Sequence, residues 1–368
     1  MSGDSLQGPR LAKRDDLPGI LDLVNLVHRT LKGRRSRVEN DFPHVYDPAN
    51  VGNIVIVTQG QRVVSVVAVW PNDIQLGEVR LRVGGINCLA TLPELRKQGL
   101  GRRVMEASHE RMRELGCHVG LLGTRIPNWY RGLGWEKAGC WVTYTFDRGN
   151  IGLLPALPDG IAIREAGAES LPDVVRLRNA DRLGAVRDVE SFRPVLMRHP
   201  PQVFVAERGS GVAGYAFVRG RSAIEWAGPA PVVAGIVRGW FETHDDREAS
   251  TSERGEDFKA RLEDRLEVSG PCWGHPFMSL LKELRIPPSI GYAGMMFPLD
   301  PRGILDAYGL GEITVDGRND QVILRRGAES FSANTRRLSR LLFGPEKVAD
   351  FAEDVLPLPF CQWPLEHV

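Results

Sequence analysis

The chain has 368 residues, enough for two or three compact units rather than one. Hydrophobic residues make up 42% and charged residues 25%, an ordinary globular composition. With Lys+Arg at 47 against Asp+Glu at 46, the formal charge of +1 excludes a global field that would draw in nucleic acid or an acidic membrane. Five cysteines (Cys88, Cys117, Cys140, Cys272 and Cys361) form no CxxC pair, and no His/Cys cluster has metal-ligand spacing, so no metal site is expected. They read as free buried thiols of a reducing cytoplasm. The polar start of the chain and the lack of a run of about 20 apolar residues predict a soluble cytoplasmic protein without a membrane partner.

Taken in chain order, Ile20, Leu23, Val24, Val27 and Leu31 have helical spacing, with Gly33 as a stop. Ile54 to Thr58 and Val63 to Trp70 flank a short Gly-containing turn and predict a β-hairpin. A strand over about Gly85 to Thr91 precedes a helix from Leu100 to Leu115, which Gly116 ends. Val119 to Leu122 reads as a short strand, and Trp135 to Phe146 as a hairpin or a pair of short strands. The opening then repeats. Ile54 to Gly60 aligns without gaps on Val203 to Gly209, and Asp16 to Leu21 resembles Ser170 to Val175, which indicates an internal duplication. Asp245 to Glu256 reads as a solvated loop. From about Gly291 further strands and a helix over Ser332 to Phe343 suggest a third, small α+β unit. The expected boundaries are 1–150, 151–288 and 289–368.

The chemistry gathers at Leu89-Ala90-Thr91-Leu92-Pro93-Glu94-Leu95-Arg96-Lys97-Gln98-Gly99-Leu100-Gly101-Arg102. A strand ends, a Gly-rich turn follows, and an amphipathic helix begins. Unpaired N–H groups of such a turn, with the positive end of the helix, suit a pyrophosphate. Gly99 and Gly101 permit close approach of the backbone. A GxGxxG dinucleotide fingerprint fails at Val104, and no Gly-Lys-Ser/Thr is present for a P-loop. About thirty residues on stands Ile126-Pro127-Asn128-Trp129-Tyr130-Arg131-Gly132-Leu133-Gly134-Trp135.

Together these two segments resemble the GNAT acetyltransferases, whose hallmarks are Arg/Gln-x-x-Gly-x-Gly/Ala after a splayed strand and a later aromatic-Tyr-x-x-x-Gly-aromatic element. The resemblance covers roughly Leu11 to Phe146. The tandem layout, the small third unit and the ending Leu358 to Val368 resemble the Eis-like (enhanced intracellular survival) group. That group joins two GNAT-like domains to a sterol-carrier-like domain in an α+β fold of mixed sheets. By this resemblance the first unit is catalytic and the second a degenerate copy. Acetyl-CoA is the cosubstrate, Leu89, Ala90 and Thr91 pair with pantetheine, and Arg96, Lys97, Gln98, Gly99, Leu100, Gly101 and Arg102 cradle the pyrophosphate. Arg125 and Ile126 lie near the thioester or the pantetheine arm. Tyr130 is the general acid, suited to that role because a phenol of pKa about 10 is protonated at neutral pH. Gly123 replaces an Asn that many GNAT enzymes carry seven residues before this Tyr.

The resemblance implies direct transfer of an acetyl group to an amine of a polyamine, an aminoglycoside or a peptide. A homo-oligomer is compatible with it. The motifs single out no acidic base. Glu39, Asp41 and Asp47 are candidates by lying in the loop before the strands, and the resemblance implies the terminal carboxylate of Val368, with Glu366 or His367 as substitutes. His28, His44, Cys272 and His275 are weaker candidates. Two other classes stay open: a non-catalytic acetyl-CoA-binding regulator, and a carrier of apolar molecules through the third unit.

Overall fold

The computed structural model describes residues 5–197, 202–209, 211–243, 265–318 and 321–366. The expected loop Asp245 to Glu256 lies outside the described residues, as do His367 and Val368. The first unit runs β1 (Leu6–Leu11), α1 (Leu17–His28), α2 (Val38–Asp41), β2 (Ile54–Gln59), β3 (Arg62–Leu76), β4 (Val79–Thr91), α3 (Leu100–Glu114), β5 (Val119–Leu122), α4 (Pro127–Arg131), β6 (Glu136–Ala138) and β7 (Trp141–Asp147). The second repeats the pattern as β8 (Ala162–Glu165), α5 (Leu171–Asp181), β9 (Leu183–Ala185), α6 (Val189–Met197), β10 (Gln202–Arg208), β11 (Gly211–Arg219), β12 (Ser222–Ala227), α7 (Ala230–Thr243), β13 (Arg265–Pro271), α8 (Pro276–Glu283) and β14 (Ser289–Gly291). The remainder is β15 (Gly294–Pro298), α9 (Pro301–Ala307), β16 (Thr314–Arg318), β17 (Gln321–Arg326), β18 (Glu329–Asn334) and α10 (Thr335–Phe343).

Apolar spacing decides which faces are buried. Helix α1 buries Ile20, Leu23 and Val24 against one face of the first sheet, and α3 buries Leu100, Val104, Met105 and Met112 against the other. The duplicated hairpins turn at Gly60 and Gly209, both with positive φ. The first sheet is ordered β1-β2-β3-β4-β5-β15-β6, and the second, read from its far end, β8-β10-β11-β12-β13-β7-β14. These are the same order. In each, the fourth and fifth strands are parallel and the next two antiparallel. The two copies have exchanged one strand: β7 leaves β6 to enter the second sheet, and β15 leaves β14 to enter the first.

Hydrogen bonding therefore crosses the expected boundaries at 150 and 288. The stretch Trp135 to Phe146 is a pair of short strands in different sheets, not a hairpin. At the crossing, the Ala293 N–H donates to the carbonyls of Ala138 (3.1 Å) and Gly139 (3.3 Å). Cys140 and Cys272 are joined in a disulfide across this junction, with Cα atoms 5.7 Å apart. The expectation of free thiols thus fails for this pair, because the exchange brings the start of β7 beside the end of β13. Cys88 and Cys117 are free thiols. Strands β16, β17 and β18 form a separate antiparallel sheet that shares a core with the first unit: Phe331, Leu338 and Leu342 pack with Leu81, Val83 and Val119. No helix among the described residues is long and apolar enough to cross a membrane, and no group of three or more His, Cys, Asp or Glu among them could hold a metal ion.

Candidate active site

The site starts from a divergence of strands. Strands β4 and β5 pair only where Val83–Gly85 meets Val119–Leu121, while β4 continues to Thr91. Beyond Gly85 the edge of β4 that faced β5 is left open, with backbone groups that seek partners. A bulge sits within this stretch. Ala68 pairs with Asn87 and Val66 with Ala90, so Cys88 and Leu89 together oppose Val67. Cys88 takes φ of 44°, a left-handed conformation uncommon for a non-glycine residue.

Several side chains hold the bulge. The Nε2–H of His28 donates to the Leu89 carbonyl at 3.0 Å, and burial lowers the pKa of this imidazole. The Tyr46 hydroxyl donates to Asn87 Oδ1 at 2.9 Å from a fully buried position. Ser65 Oγ donates to the Ala90 carbonyl at 3.2 Å. Burial pushes the Cys88 thiol up to about 11, against an opposing hydrogen bond with Tyr46, so the thiol is a poor nucleophile at neutral pH.

The turn after β4 leads into α3. Lys97 (φ 63°) and Gly99 (φ 78°) are both left-handed, and α3 begins at Leu100 with no side-chain cap. The first N–H groups of a helix have no intrahelical partner, and here they follow exposed Arg96, Lys97 and Gln98. Leu100 itself is buried in the core and offers the site only its backbone. Arg96 Nε donates to the Thr91 carbonyl at 3.4 Å, and Arg102 Nη2 to the Gly132 carbonyl at 3.0 Å, tying the turn to α4. Arg103 is directed away, to the Gly8 carbonyl.

Helix α4 carries Tyr130. The phenol is buried, and burial together with the neighbouring Cys88 thiol pushes it up to about 12. Trp129 stands edge-on to it with centroids 4.8 Å apart, while Arg125 and Ile126 are exposed on the loop before the helix. Glu136 fixes α4 from behind. It accepts from Arg131 Nε (2.8 Å) and Arg336 Nη2 (2.8 Å). Burial would raise its carboxyl, but the two guanidiniums outweigh that and lower it to about 2.

Among the base candidates, Glu39 accepts from Asn25 Nδ2 at 2.8 Å, Asp41 is paired with Arg29, and Asp47 Oδ1 accepts from the Ala49 N–H at 2.7 Å. Ahead of Val368, Trp363 is fully buried, with its indole N–H on the Leu183 carbonyl at 2.8 Å. The turn Pro364–Glu366 packs on α6 and β12.

The second copy differs at the corresponding places. Pro127 and Tyr130 correspond to Pro276 and Ser279 at the spacing that relates Ile54 to Val203, so a serine stands in the place of the phenol. The opening between β12 and β13 is filled by the buried Trp226, which rests against Gly270 and stacks edge-on to Trp363 at 5.1 Å. His275 Nδ1 accepts from the N–H groups of Phe277 (3.1 Å) and Trp226 (3.3 Å), and its Nε2–H donates to Asp181 (3.0 Å). Both ring nitrogens are engaged, and burial lowers its pKa, so His275 is structural.

Comparison with known proteins agrees with this geometry. Residues 9–138 match the acetyltransferase (GNAT) domain family. The match spans most of the first unit. Over the whole chain the fold is similar to a GCN5-related N-acetyltransferase from Kribbella flavida, at 17% identity, 92% and 88% coverage of the two chains, and a TM-score of 0.60. It is also similar to a probable N-acyltransferase from Enterococcus faecalis V583, at 13% identity, 92% and 89% coverage and a TM-score of 0.62. Eis1 from Mycobacterium abscessus shares the fold at 14% identity, 89% and 85% coverage and a TM-score of 0.57. No curated protein matches the chain in sequence.

Proposed function

We propose that the chain transfers the acetyl group of acetyl-CoA directly to an amine, using the open edge of β4. The observation that carries this reading is the buried Tyr130 phenol beside the bulge at Cys88, where β4 and β5 diverge. In this reading Leu89, Ala90 and Thr91 offer backbone groups to pantetheine. The stretch Arg96 to Arg102 receives the pyrophosphate on the uncapped start of α3, and Arg125 and Ile126 border the arm. A backbone N–H of the bulged strand polarises the thioester carbonyl. The neutral amine attacks, the new C–N bond forms as C–S breaks, and the leaving thiolate takes the Tyr130 proton. The amine's own proton passes to a base, for which the resemblance implies the carboxylate of Val368. Deleting Val368 should then lower kcat and shift its pH profile.

The same proposal treats 1–150 as the catalytic unit, 151–288 as a degenerate copy that braces the acceptor side, and 289–368 as a packing unit. Turnover of acetyl-CoA against a panel of amines tests it. Acetyl-CoA consumption that depends on the amine and collapses in Tyr130→Phe supports transfer. Tight acetyl-CoA binding with no transfer to any amine would favour a regulatory protein instead.

A further inference from the structure

Helix α4 has only five residues. Isolated helices shorter than about 12 residues do not persist in water, so α4 depends on the contacts around it. Tyr130, the proposed proton donor, sits on this helix, and whatever braces α4 sets where its hydroxyl lies. Part of the brace is local. The Tyr130 carbonyl accepts from the N–H groups of Leu133 (2.9 Å) and Trp135 (3.2 Å). Trp135 is fully buried and donates its indole N–H to His109 Nε2 at 3.0 Å. Arg131, the last residue of α4, reaches back to Asn128 Oδ1 at 2.8 Å.

The rest of the brace comes from the third unit. Helix α10 is itself well fixed: Asn334 accepts from the Arg337 N–H at 3.0 Å, Leu338 and Leu342 are fully buried, and Ser339 Oγ donates to the Met296 carbonyl at 3.2 Å. From its first turn Arg336 donates to Glu136 Oε2 through Nε at 3.0 Å and Nη2 at 2.8 Å. Glu136 Oε1 accepts from Arg131 Nε at 2.8 Å and from the Lys137 N–H at 3.0 Å. The carboxylate therefore offers one oxygen mainly to α4 and the other mainly to α10. Beside it the turn that follows α4 has no slack. A Cβ at Gly134 would lie 2.9 Å from Phe297 on β15 and 3.6 Å from Thr335 on α10.

We propose that Arg336 is a positioning residue for the transfer: through Glu136 and Arg131 it holds α4 so that the Tyr130 hydroxyl meets the departing thiolate. The third unit then acts as a support of the active site, beyond its part in packing. This role rests on the acetyltransferase reading, but the brace can be measured without it.

The test compares Arg336→Gln and Arg336→Lys with the wild type. The Arg336 side chain is 43% exposed, and Arg131 still partners Glu136 without it, so both variants should fold, which circular dichroism and thermal unfolding check. In Arg336→Gln, deuterium exchange over residues 127–135 should quicken several-fold while that of α1 stays as in the wild type. The same variant should lose about tenfold in kcat, within the ~10²-fold that a misplacement of about 1 Å can cost, with acetyl-CoA affinity unchanged. Arg336→Lys keeps a charged donor and should recover part of the loss. The deciding arm is the Tyr130→Phe background. With the proton donor gone, Arg336→Gln should lower the residual rate no further. Wild-type kcat in Arg336→Gln, or an equal loss in the Tyr130→Phe background, overturns the positioning role. Unchanged exchange over 127–135 overturns the brace whatever the turnover. Quickened exchange in a chain whose wild type acetylates no amine would keep the brace and remove the acetyltransferase reading.

Discussion

Tyr130 combines a buried setting with a proposed task that requires its proton. With its pKa near 12, the phenol stays protonated through any pH at which the chain is assayed, so deprotonation of the donor does not limit the rate. Tyr130→Phe should lower kcat by about 10²–10⁴-fold while acetyl-CoA affinity changes little. The wild-type kcat should show no alkaline decline attributable to this group below about pH 10. A decline in that range that vanishes in Tyr130→Phe would contradict the assignment. Gly101 gives a cleaner binding variant than Gly99. A Cβ there meets Trp129 at 3.6 Å and Thr91 Oγ1 at 3.7 Å, ordinary contacts, whereas Gly99 needs its left-handed φ of 78°. Gly101→Val should fold yet crowd the first turn of α3, and the rise in Tm that acetyl-CoA gives the wild type should disappear. The turn and Tyr130 were legible because glycine spacing and an aromatic element are local patterns. The bulge at Cys88 was not legible, since nothing in a cysteine announces a left-handed φ. The part His28 plays in holding the bulge was not legible either, because its carbonyl partner lies 61 residues away.

At the scale of elements, α4 depends on a charge cluster that spans the chain. Glu136, nearly closed off from solvent, joins Arg131 on α4 to Arg336 on α10, which lies 200 residues beyond Glu136. Its folded pKa of about 2 lies below the usual 4.5, so its contribution is fully present above pH 4.5 and is lost as pH falls through 2. Glu136→Gln should cost on the order of 1–3 kcal/mol at neutral pH, because two guanidiniums lose their counter-charge. Denaturant titrations should show the difference from wild type shrinking between about pH 4.5 and pH 2. A difference independent of pH would mean that the carboxylate's charge plays no part. Helices α1 and α3 and the β2–β3 hairpin followed directly from apolar period and turn glycines. The cluster at Glu136 did not, because pairing across 200 residues leaves no trace in local spacing.

At the scale of the whole molecule, the duplication was readable in Ile54 to Gly60 and Val203 to Gly209, but the exchange of β7 and β15 was not. Each strand is apolar and short enough to fit either sheet, and the crossing is decided by tertiary pairing. The two copies also differ where function would require them to agree. Trp226 and Trp363 fill the second opening, Asp181 takes the Gly228 N–H at the start of α7, and Ser279 stands in place of Tyr130. Calorimetry should therefore give one acetyl-CoA per chain, and two equivalent sites would overturn the reading of the second unit as degenerate. The exchange has its own consequence. Because β7 completes the second sheet and β15 the first, neither sheet can be whole while the other is unfolded. Gly139 is the sensitive point: it has φ of 77°, and a Cβ added there would lie 2.6 Å from Ala293 Cβ and 2.8 Å from Met296 Cε. The Met296 side chain can swing aside, but Ala293 Cβ cannot retreat without moving the backbone that leads into β15, so Gly139→Val should destabilise both units together. In wild type, tryptophan fluorescence and acetyl-CoA protection should report a single transition, and in Gly139→Val both should move to lower denaturant by the same amount. Two separated transitions in the wild type would show that the exchanged strands do not couple the sheets.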